Sequence, residues 1–216
     1  MLPRRVADPD PATRAADHVA HAILAASTEI HVAFPGGPGT SRLLARLARY
    51  RLRWEKLVAW QADERVAPDF DEARHYTRLF AALAVPARFV PIPVDPARDP
   101  SGETAARRYA ELLALPPTRG VLDLVILEFG PGGESGALFP GDPALRAPQG
   151  DTLASGPWAG HRHVGLNLPA LARARELVFL AEGEAGRDVA ARVAAGDVAV
   201  PAGRLRHPRA SIFAPA

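Results

Sequence analysis

The sequence contains no cysteine, a single lysine and no hydrophobic run long enough to cross a membrane. Without cysteine there can be no disulfide framework, no thiolate nucleophile and no thiolate metal site. A membrane-spanning helix needs about 20 consecutive apolar residues, and the basic N-terminal segment is not followed by the apolar core of a signal peptide. We therefore expect a cytoplasmic protein that does not use a membrane.

Positive charge comes almost entirely from arginine, because Lys56 is the only lysine, and the net charge is only +2. Proteins that bind nucleic acid usually present a stripe of one charge sign with aromatic platforms. Here acids interrupt the arginines between Glu103 and Glu111, and aromatic residues make up 6% of the chain. The composition therefore argues against nucleic acid as a partner.

The 216 residues are 48% hydrophobic, which suits a single domain over residues 1–216 with one sizeable core. Short apolar runs alternate with segments of helical periodicity. Strands are predicted at 30–34, 57–61, 88–91, 121–127, 164–168 and 177–181, and helices at 11–26, 42–50, 70–83, 101–115, 169–175 and 184–194. This alternation predicts an α/β fold: an open, mainly parallel sheet with helices on both faces, Rossmann-like and three-layered. Residues 140–160, rich in proline and glycine, are predicted to be a loop with room for a small lid, and the tail 198–216 is proline-rich.

A glycine loop joins the first predicted strand to the next helix at residues 35–40. Gly36, Gly37 and Gly39 leave backbone N–H groups accessible, and Thr40 or Ser41 is suited to cap the helix. Free N–H groups and the positive end of a helix dipole together make a phosphate cradle. The loop lacks the lysine of a P-loop and the GxGxxG pattern, so no nucleotide cofactor is expected.

Two further polar loops follow predicted strands. Asp63, Glu64 and Arg65 come after the second strand, where the alternative is a surface turn with an ion pair. Glu134 lies in the glycine loop after the strand at 121–127, where the alternative is a tight turn between two core elements. Because the carboxyl ends of parallel strands share one edge of a sheet, the three loops are expected to converge on one ligand.

These loops, in this order, resemble the 6-phosphogluconolactonase family, whose fold group also holds glucosamine-6-phosphate isomerase. The resemblance is carried by Gly36-Gly37…Thr40, Asp63-Glu64-Arg65-Val66…Pro68, Leu122-Asp123-Leu124-Val125-Ile126-Leu127, Gly130-Pro131…Gly133, Leu138-Phe139-Pro140-Gly141, Leu168-Pro169-Ala170-Leu171 and Val178-Phe179-Leu180…Gly183-Glu184. It implies hydrolysis of 6-phospho-D-glucono-1,5-lactone to 6-phosphogluconate, in the oxidative pentose phosphate pathway, without a cofactor or metal. A phosphorylated sugar lactone is then the expected partner, and we expect a monomer or weak homodimer.

The chain departs from the family pattern at the loop itself. Where the family has G-P-D-G-H-T-A-S-L-F-P, this chain reads GPGGESGALFP from Gly130. Gly132 stands for the aspartate, and Glu134 for the histidine regarded as the general base. Elsewhere, the replacements are Glu128 for a strand-end glycine, His75 for an asparagine, His163 for an arginine, and Gly186 for the phosphate-binding lysine.

The resemblance, applied residue by residue, predicts the roles at the site. Glu134 is the expected base, Asp63 is expected to order Arg65 or the attacking water, and His75 is a reserve base, as is His163. The predicted substrate- and phosphate-binding residues are Gly36, Gly37, Gly39, Thr40, Arg65, Gly132, Gly133, Arg162, His163 and Arg187, where Arg162 and Arg187 would replace lost family cations. No metal is expected, since His161 and His163 alone are too sparse to hold one.

Two other functions stay open from the sequence. The altered loop is compatible with a sugar-phosphate-binding protein without catalysis, acting as a sensor or partner. The shared fold group also permits an amino-sugar-phosphate isomerase or deaminase, although the arginine of Asp63-Glu64-Arg65 is more similar to the lactonase branch.

Overall fold

The computed structural model describes residues 1–83, 86–146 and 149–216. Its strands are β1 (Arg4–Ala7), β2 (Ile30–Phe34), β3 (Leu57–Gln61), β4 (Asp63–Arg65), β5 (Arg88–Val90), β6 (Leu124–Glu128), β7 (Thr152–Trp158), β8 (His161–Leu166), β9 (Leu177–Leu180) and β10 (Ala210–Ala214). Its α-helices are α1 (Pro11–Ala25), α2 (Pro38–Leu47), α3 (His75–Ala82), α4 (Glu103–Ala114), α5 (Leu168–Arg173) and α6 (Gly183–Ala194). Among the described residues, no helix combines the length and apolarity needed to span a bilayer.

The main sheet has seven strands in the order β1-β10-β9-β6-β2-β3-β5, and every pairing in it is parallel. From β2 the chain moves outward through β3 to β5, and from β6 it moves in the opposite direction through β9 to β10. The strand order therefore reverses between β2 and β6. Open α/β sheets bind ligands at such a switch point, beyond the carboxyl ends of the strands.

Helices cover both faces of the sheet, as the sequence predicted. Alternate residues of each buried strand point to opposite faces, so Val32 packs with α1, α2 and α3, whereas Ala33 belongs to the core on the side of α4, α5 and α6. The two apolar layers enclose the sheet from both sides.

A second, antiparallel sheet, in the order β4-β8-β7, differs from the sequence prediction. Asp63–Arg65, predicted as a loop, pairs with β8, and Thr152–Trp158, predicted as part of the loop 140–160, is strand β7. Pairing with β8 overrides the local proline and glycine signals, and a register shift between Ser155 and Trp158 accommodates them. Residues 147 and 148 of the predicted lid lie outside the described residues.

Three further predictions were wrong in detail. Helix α2 begins at Pro38 with Gly37 in the N-cap position, so Thr40 and Ser41 lie inside the helix and do not cap it. The helix predicted at 70–83 begins only at His75, and residues 69–70 and 72–73 before it form turns. The proline-rich tail contains β10, which β9 and β1 hold on either side.

Candidate active site

The carboxyl ends of β2 and β6 open on a cavity of about 230 Å³ at the switch point of the sheet. The three predicted polar segments meet there, one of them as strand β4, together with the start of α3. The lining residues are Pro35, Gly36, Gly37, Pro38, Asp63, Arg65, His75, Arg78, Glu128, Phe129, Gly130, Glu134, Gly136, Phe139, Trp158, Ala159 and His163. The cavity therefore combines three carboxylates, two arginines and two histidines.

Asp63 and two histidines form a buried cluster in the cavity wall. Oδ2 of Asp63 lies 3.1 Å from Nδ1 of His75 and 3.9 Å from Nδ1 of His163. Burial acts to raise the pKa of Asp63, but His75 and His163 outweigh it and hold the pKa of this carboxyl well below its usual range. Burial likewise disfavours the charged imidazole of His75, yet the Asp63 charge and hydrogen bond raise the pKa of His75 above its ordinary value of 6.5. The two shifts favour the charged form of the Asp63–His75 pair over the neutral form.

The two histidines differ in what they offer to a ligand. Nδ1 of His75 is turned toward Asp63, so Nε2, on the other side of the ring, is free to face the cavity. The ring of His163 packs edge-on against Phe139, with centroids 4.8 Å apart. Both ring nitrogens of His163 are buried and make no hydrogen bond within the described part of the chain. His75 is thus better placed than His163 to act on a bound substrate.

Glu64 has a structural role next to this cluster. Its fully buried carboxylate accepts hydrogen bonds from the backbone N–H groups of His75 (2.7 Å) and Tyr76 (2.8 Å) at the start of α3. Nε of Arg74 lies 3.3 Å from the same carboxylate. Glu64 thus satisfies otherwise unpaired N–H groups of α3 and fixes the backbone that carries His75.

Glu134 folds back over its own glycine loop. Its backbone carbonyl accepts a hydrogen bond from the N–H of Gly130 (2.9 Å), and its side chain packs on Gly130 and Gly132. A Cβ at residue 132 would lie 2.8 Å from Oε2 of Glu134 and 3.2 Å from Trp158. Oε2 is buried and has no hydrogen-bond partner among the described residues. Glycine at 132 therefore provides the space that the Glu134 carboxylate occupies in the cavity wall.

The predicted phosphate cradle is occupied by Glu128, which ends β6. The N–H of Gly39 donates to Oε1 of Glu128 (3.0 Å), and the N–H of Thr40 donates to Oε2 (3.2 Å). Burial raises the pKa of Glu128, and these hydrogen bonds offset the effect only in part. Gly39 and Thr40 thus bind a carboxylate of this chain and do not line the cavity, contrary to the sequence prediction.

The glycines of this loop are needed for close approach by side chains of the protein itself. A Cβ at Gly36 would collide with the ring of His75, and a Cβ at Gly37 would collide with the carboxylate of Glu128. A Cβ at Gly39 would lie 2.8 Å from the carboxylate of Glu182. Gly36 and Gly37 remain in the cavity wall, so their backbone can still contact a ligand.

Four arginines are relevant to phosphate binding, and only two of them line the cavity. Arg65 and Arg78 do so, from β4 and α3. Arg162 is exposed on β8 and outside the lining, and Arg187 lies on α6 near Glu184 (3.6 Å) and Asp188. Gly132 and Gly133 also lie outside the lining, although Gly133 (φ +90°) shapes the turn that carries Glu134.

Comparisons with known proteins agree with this architecture. The family model described as "Glucosamine-6-phosphate isomerases/6-phosphogluconolactonase" matches residues 9–213. The chain belongs to this family. It is 31% identical over 200 residues to a 6-phosphogluconolactonase of Streptomyces coelicolor, which covers 81% of this chain and 75% of that protein.

One further relative and one solved structure are also similar to this chain. The GDH/6PGL endoplasmic bifunctional protein of Oryctolagus cuniculus is 30% identical over 169 residues, which is 74% of this chain and 21% of that protein. A crystal structure of a 6-phosphogluconolactonase from Shewanella baltica superposes with a TM-score of 0.82 at 21% identity, and covers 100% of this chain and 98% of that one. The structural similarity supports the family fold.

The family pattern can now be placed on the structure. Glu134 stands where the family pattern has histidine, and Gly132, where it has aspartate, leaves room for the longer glutamate. Glu128 stands where it has a strand-end glycine and fills the amino end of α2. Gly186, in place of lysine, is buried against Ala181.

Ten of the lining residues were not among the predicted site residues, and they include Glu128, Arg78 and Trp158. A charged residue at the end of an apolar strand is a usable signal for Glu128. Arg78 lies one turn after His75 on α3, which identifies it once that helix is correctly bounded. Trp158 lies in a segment predicted as loop, and the sequence offered no signal for its position.

Proposed function

We propose that the protein hydrolyses 6-phospho-D-glucono-1,5-lactone to 6-phosphogluconate, the lactonase step of the oxidative pentose phosphate pathway. The supporting observation is that Glu134, the Asp63–His75 ion pair and Arg65 surround one cavity at the switch point of a chain that belongs to this family. Relatives named 6-phosphogluconolactonase support the same reaction. The substrate class is thus a small phosphorylated sugar lactone.

In the proposed mechanism Glu134 is the general base. Its carboxylate takes a proton from water as the water oxygen attacks the lactone carbonyl carbon, and a tetrahedral oxyanion forms. The protonated His75, held by Asp63, donates a hydrogen bond from Nε2 to that oxyanion. Collapse of the intermediate breaks the bond between the carbonyl carbon and the ring oxygen. The ring oxygen then receives the proton from Glu134, and one water has been added to the lactone.

The deciding experiment measures acid release from freshly prepared lactone in a pH-stat, against the spontaneous rate. Wild-type protein should exceed that rate, and Glu134→Gln should lower kcat by roughly a hundredfold, with little change in KM. A kcat unchanged in Glu134→Gln would remove Glu134 from the mechanism. No rate above the spontaneous one in the wild type would refute the proposed function.

The second candidate is a sugar-phosphate-binding protein without turnover. It is favoured by one observation, the glutamate at the position where the family pattern has histidine. Affinity for 6-phosphogluconate together with a wild-type rate equal to the blank would support it. Ammonia release from an amino-sugar phosphate would instead indicate the isomerase or deaminase activity, and we expect none.

The proposal also includes the domain organisation, the oligomeric state and the cellular location of the protein. Both apolar layers lie on the same seven-stranded sheet, which supports a single catalytic domain over residues 1–216. All the proposed catalytic groups come from one chain, so a monomer or weak homodimer suffices. The absence of cysteine suits a cytoplasmic enzyme.

A further inference from the structure

Two places, one beside the cavity and one in its wall, attract an anion, and the protein itself fills the first of them. The amino end of α2 offers the N–H groups of Gly39 and Thr40, and the carboxylate of Glu128 accepts both. Helix amino ends favour negative charge because the N–H groups and the helix dipole point outward. The second place is the wall with Arg65 and Arg78. Their guanidinium groups donate to the backbone carbonyls of Ala73 (3.4 Å) and Glu72 (3.0 Å) and form no ion pair with another described residue.

The chain is shaped around the Glu128 carboxylate. Glu128 is the last residue of β6, next to β2 at the switch point, so its side chain reaches the loop that follows β2. Any side chain at Gly37 would collide with that carboxylate. The hydroxyl of Thr40, which is fully buried, adds a third, longer contact at 3.4 Å. These contacts hold Glu128 in the position that an anionic ligand would take.

A phosphate and a carboxylate cannot share this position. Both would compete for the same N–H groups, and their like charges repel each other strongly in a half-enclosed, low-dielectric site. The wall with Arg65 and Arg78 carries positive charge, and planar guanidinium groups bind phosphate oxygens in a bidentate manner.

We propose that Glu128 determines substrate orientation: it closes the amino end of α2 to phosphate, so that the substrate phosphate binds between Arg65 and Arg78. This inference rests on the proposed function, since it takes the substrate to be a sugar phosphate. It assigns Arg78 as a phosphate-binding residue and Glu128 as a specificity-determining one.

The first test measures binding of inorganic phosphate and of 6-phosphogluconate by calorimetry. Removing the carboxylate in Glu128→Ala frees the N–H groups of Gly39 and Thr40, and phosphate should then bind about tenfold more tightly. Glu128→Gln keeps the side-chain shape without the charge, so it should give a smaller gain and carries the test if the alanine variant does not fold. Affinity no higher than wild type in the folded variants would overturn the inference.

The second test compares two exposed arginines, of which only one lines the cavity. Arg78→Ala should weaken phosphate binding and raise the KM for the lactone about tenfold, whereas Arg108→Ala, at an exposed position of α4 outside the lining, should change neither. In the Glu128→Ala background, Arg78→Ala should have less effect, because the phosphate can move to α2. Equal effects of the two arginine substitutions would overturn the inference.

The two proposals fail in distinguishable ways. The lactonase proposal is refuted, and the binding geometry retained, if the wild-type protein shows no turnover but phosphate affinity changes as expected in the variants at residues 128 and 78. A wild-type protein with turnover whose KM and phosphate affinity do not depend on either residue retains the lactonase proposal and refutes the assigned orientation.

Discussion

Oδ2 of Asp63 lies 3.1 Å from Nδ1 of His75, and both side chains are almost fully buried. The two residues come from different elements, β4 of the small antiparallel sheet and the first turn of α3. Burial opposes the charge of both groups, but their mutual stabilisation lowers the pKa of Asp63 and raises the pKa of His75, and so favours the charged pair. In the proposed mechanism the charged imidazole of His75 donates a hydrogen bond to the oxyanion, which the carboxylate of Glu134 cannot do.

The first prediction follows from this pair. Asp63→Asn removes the negative charge and the hydrogen bond that keep His75 protonated, so the pKa of His75 should fall. Because the mechanism needs protonated His75, the alkaline limb of the kcat/KM profile should move to lower pH, and kcat at pH 7.5 should drop by roughly tenfold to a hundredfold. Rates measured from pH 5 to 9 test this, and an unshifted alkaline limb would separate His75 from the chemistry.

The second prediction concerns the space that Gly132 leaves. Gly132→Ala places a Cβ within 2.8 Å of the Glu134 carboxylate, which can rotate away at little cost to folding. We expect kcat to fall about tenfold, as a displaced base loses alignment with water, while the melting temperature changes little. In a double-mutant cycle, Gly132→Ala should have no further effect on Glu134→Gln. Additive losses would mean that residue 132 acts by another route.

The third prediction separates structural from surface carboxylates. Glu64→Ala removes the buried acceptor for the N–H groups of His75 and Tyr76 and leaves Arg74 without this partner. Its free energy of unfolding should fall by about 3–5 kcal/mol in denaturant titrations. Asp69→Asn is the matched control: Asp69 also pairs with Arg74, at 2.8 Å, but is 78% exposed, and should cost less than about 1 kcal/mol. Similar losses in the two variants would contradict this assignment.

Much of the fold was predicted correctly from the periodicity of the sequence, and the errors of that prediction have a common cause. The buried parallel strands, such as β2 and β9, are short apolar runs that carry their own signal. Strands β4 and β7 depend on pairing with β8, a contact that no local pattern reports. Strand β10, in the proline-rich tail, was not predicted, because its neighbours β1 and β9 come from distant parts of the chain.

The location of the site was predictable from the sequence, but the contacts between its side chains were not. Three polar loops after strands indicated one edge of the sheet, and Asp63, His75 and Glu134 do meet there. The glycine loop indicated an anion at the start of α2, and an anion is present, but it is Glu128 of the same chain. The sequence pattern predicts an anion-binding site at the amino end of α2. Which anion binds there depends on whether a side chain from the neighbouring strand β6 is long enough to contact it.

The last prediction uses the raised pKa of Glu128. A group that binds its proton more tightly in the folded state than in the unfolded state makes the protein less stable as the pH rises. Here that window begins near the ordinary value of 4.5 and ends at the higher folded-state pKa. Glu128→Gln removes this loss, so relative to wild type the variant should gain stability as the pH rises from 4 to 7, although the hydrogen bonds to Gly39 and Thr40 weaken. Urea titrations of both proteins at pH 4, 5, 6 and 7 measure the difference. A difference that is constant with pH would mean that Glu128 titrates alike in both states and is not desolvated at the amino end of α2.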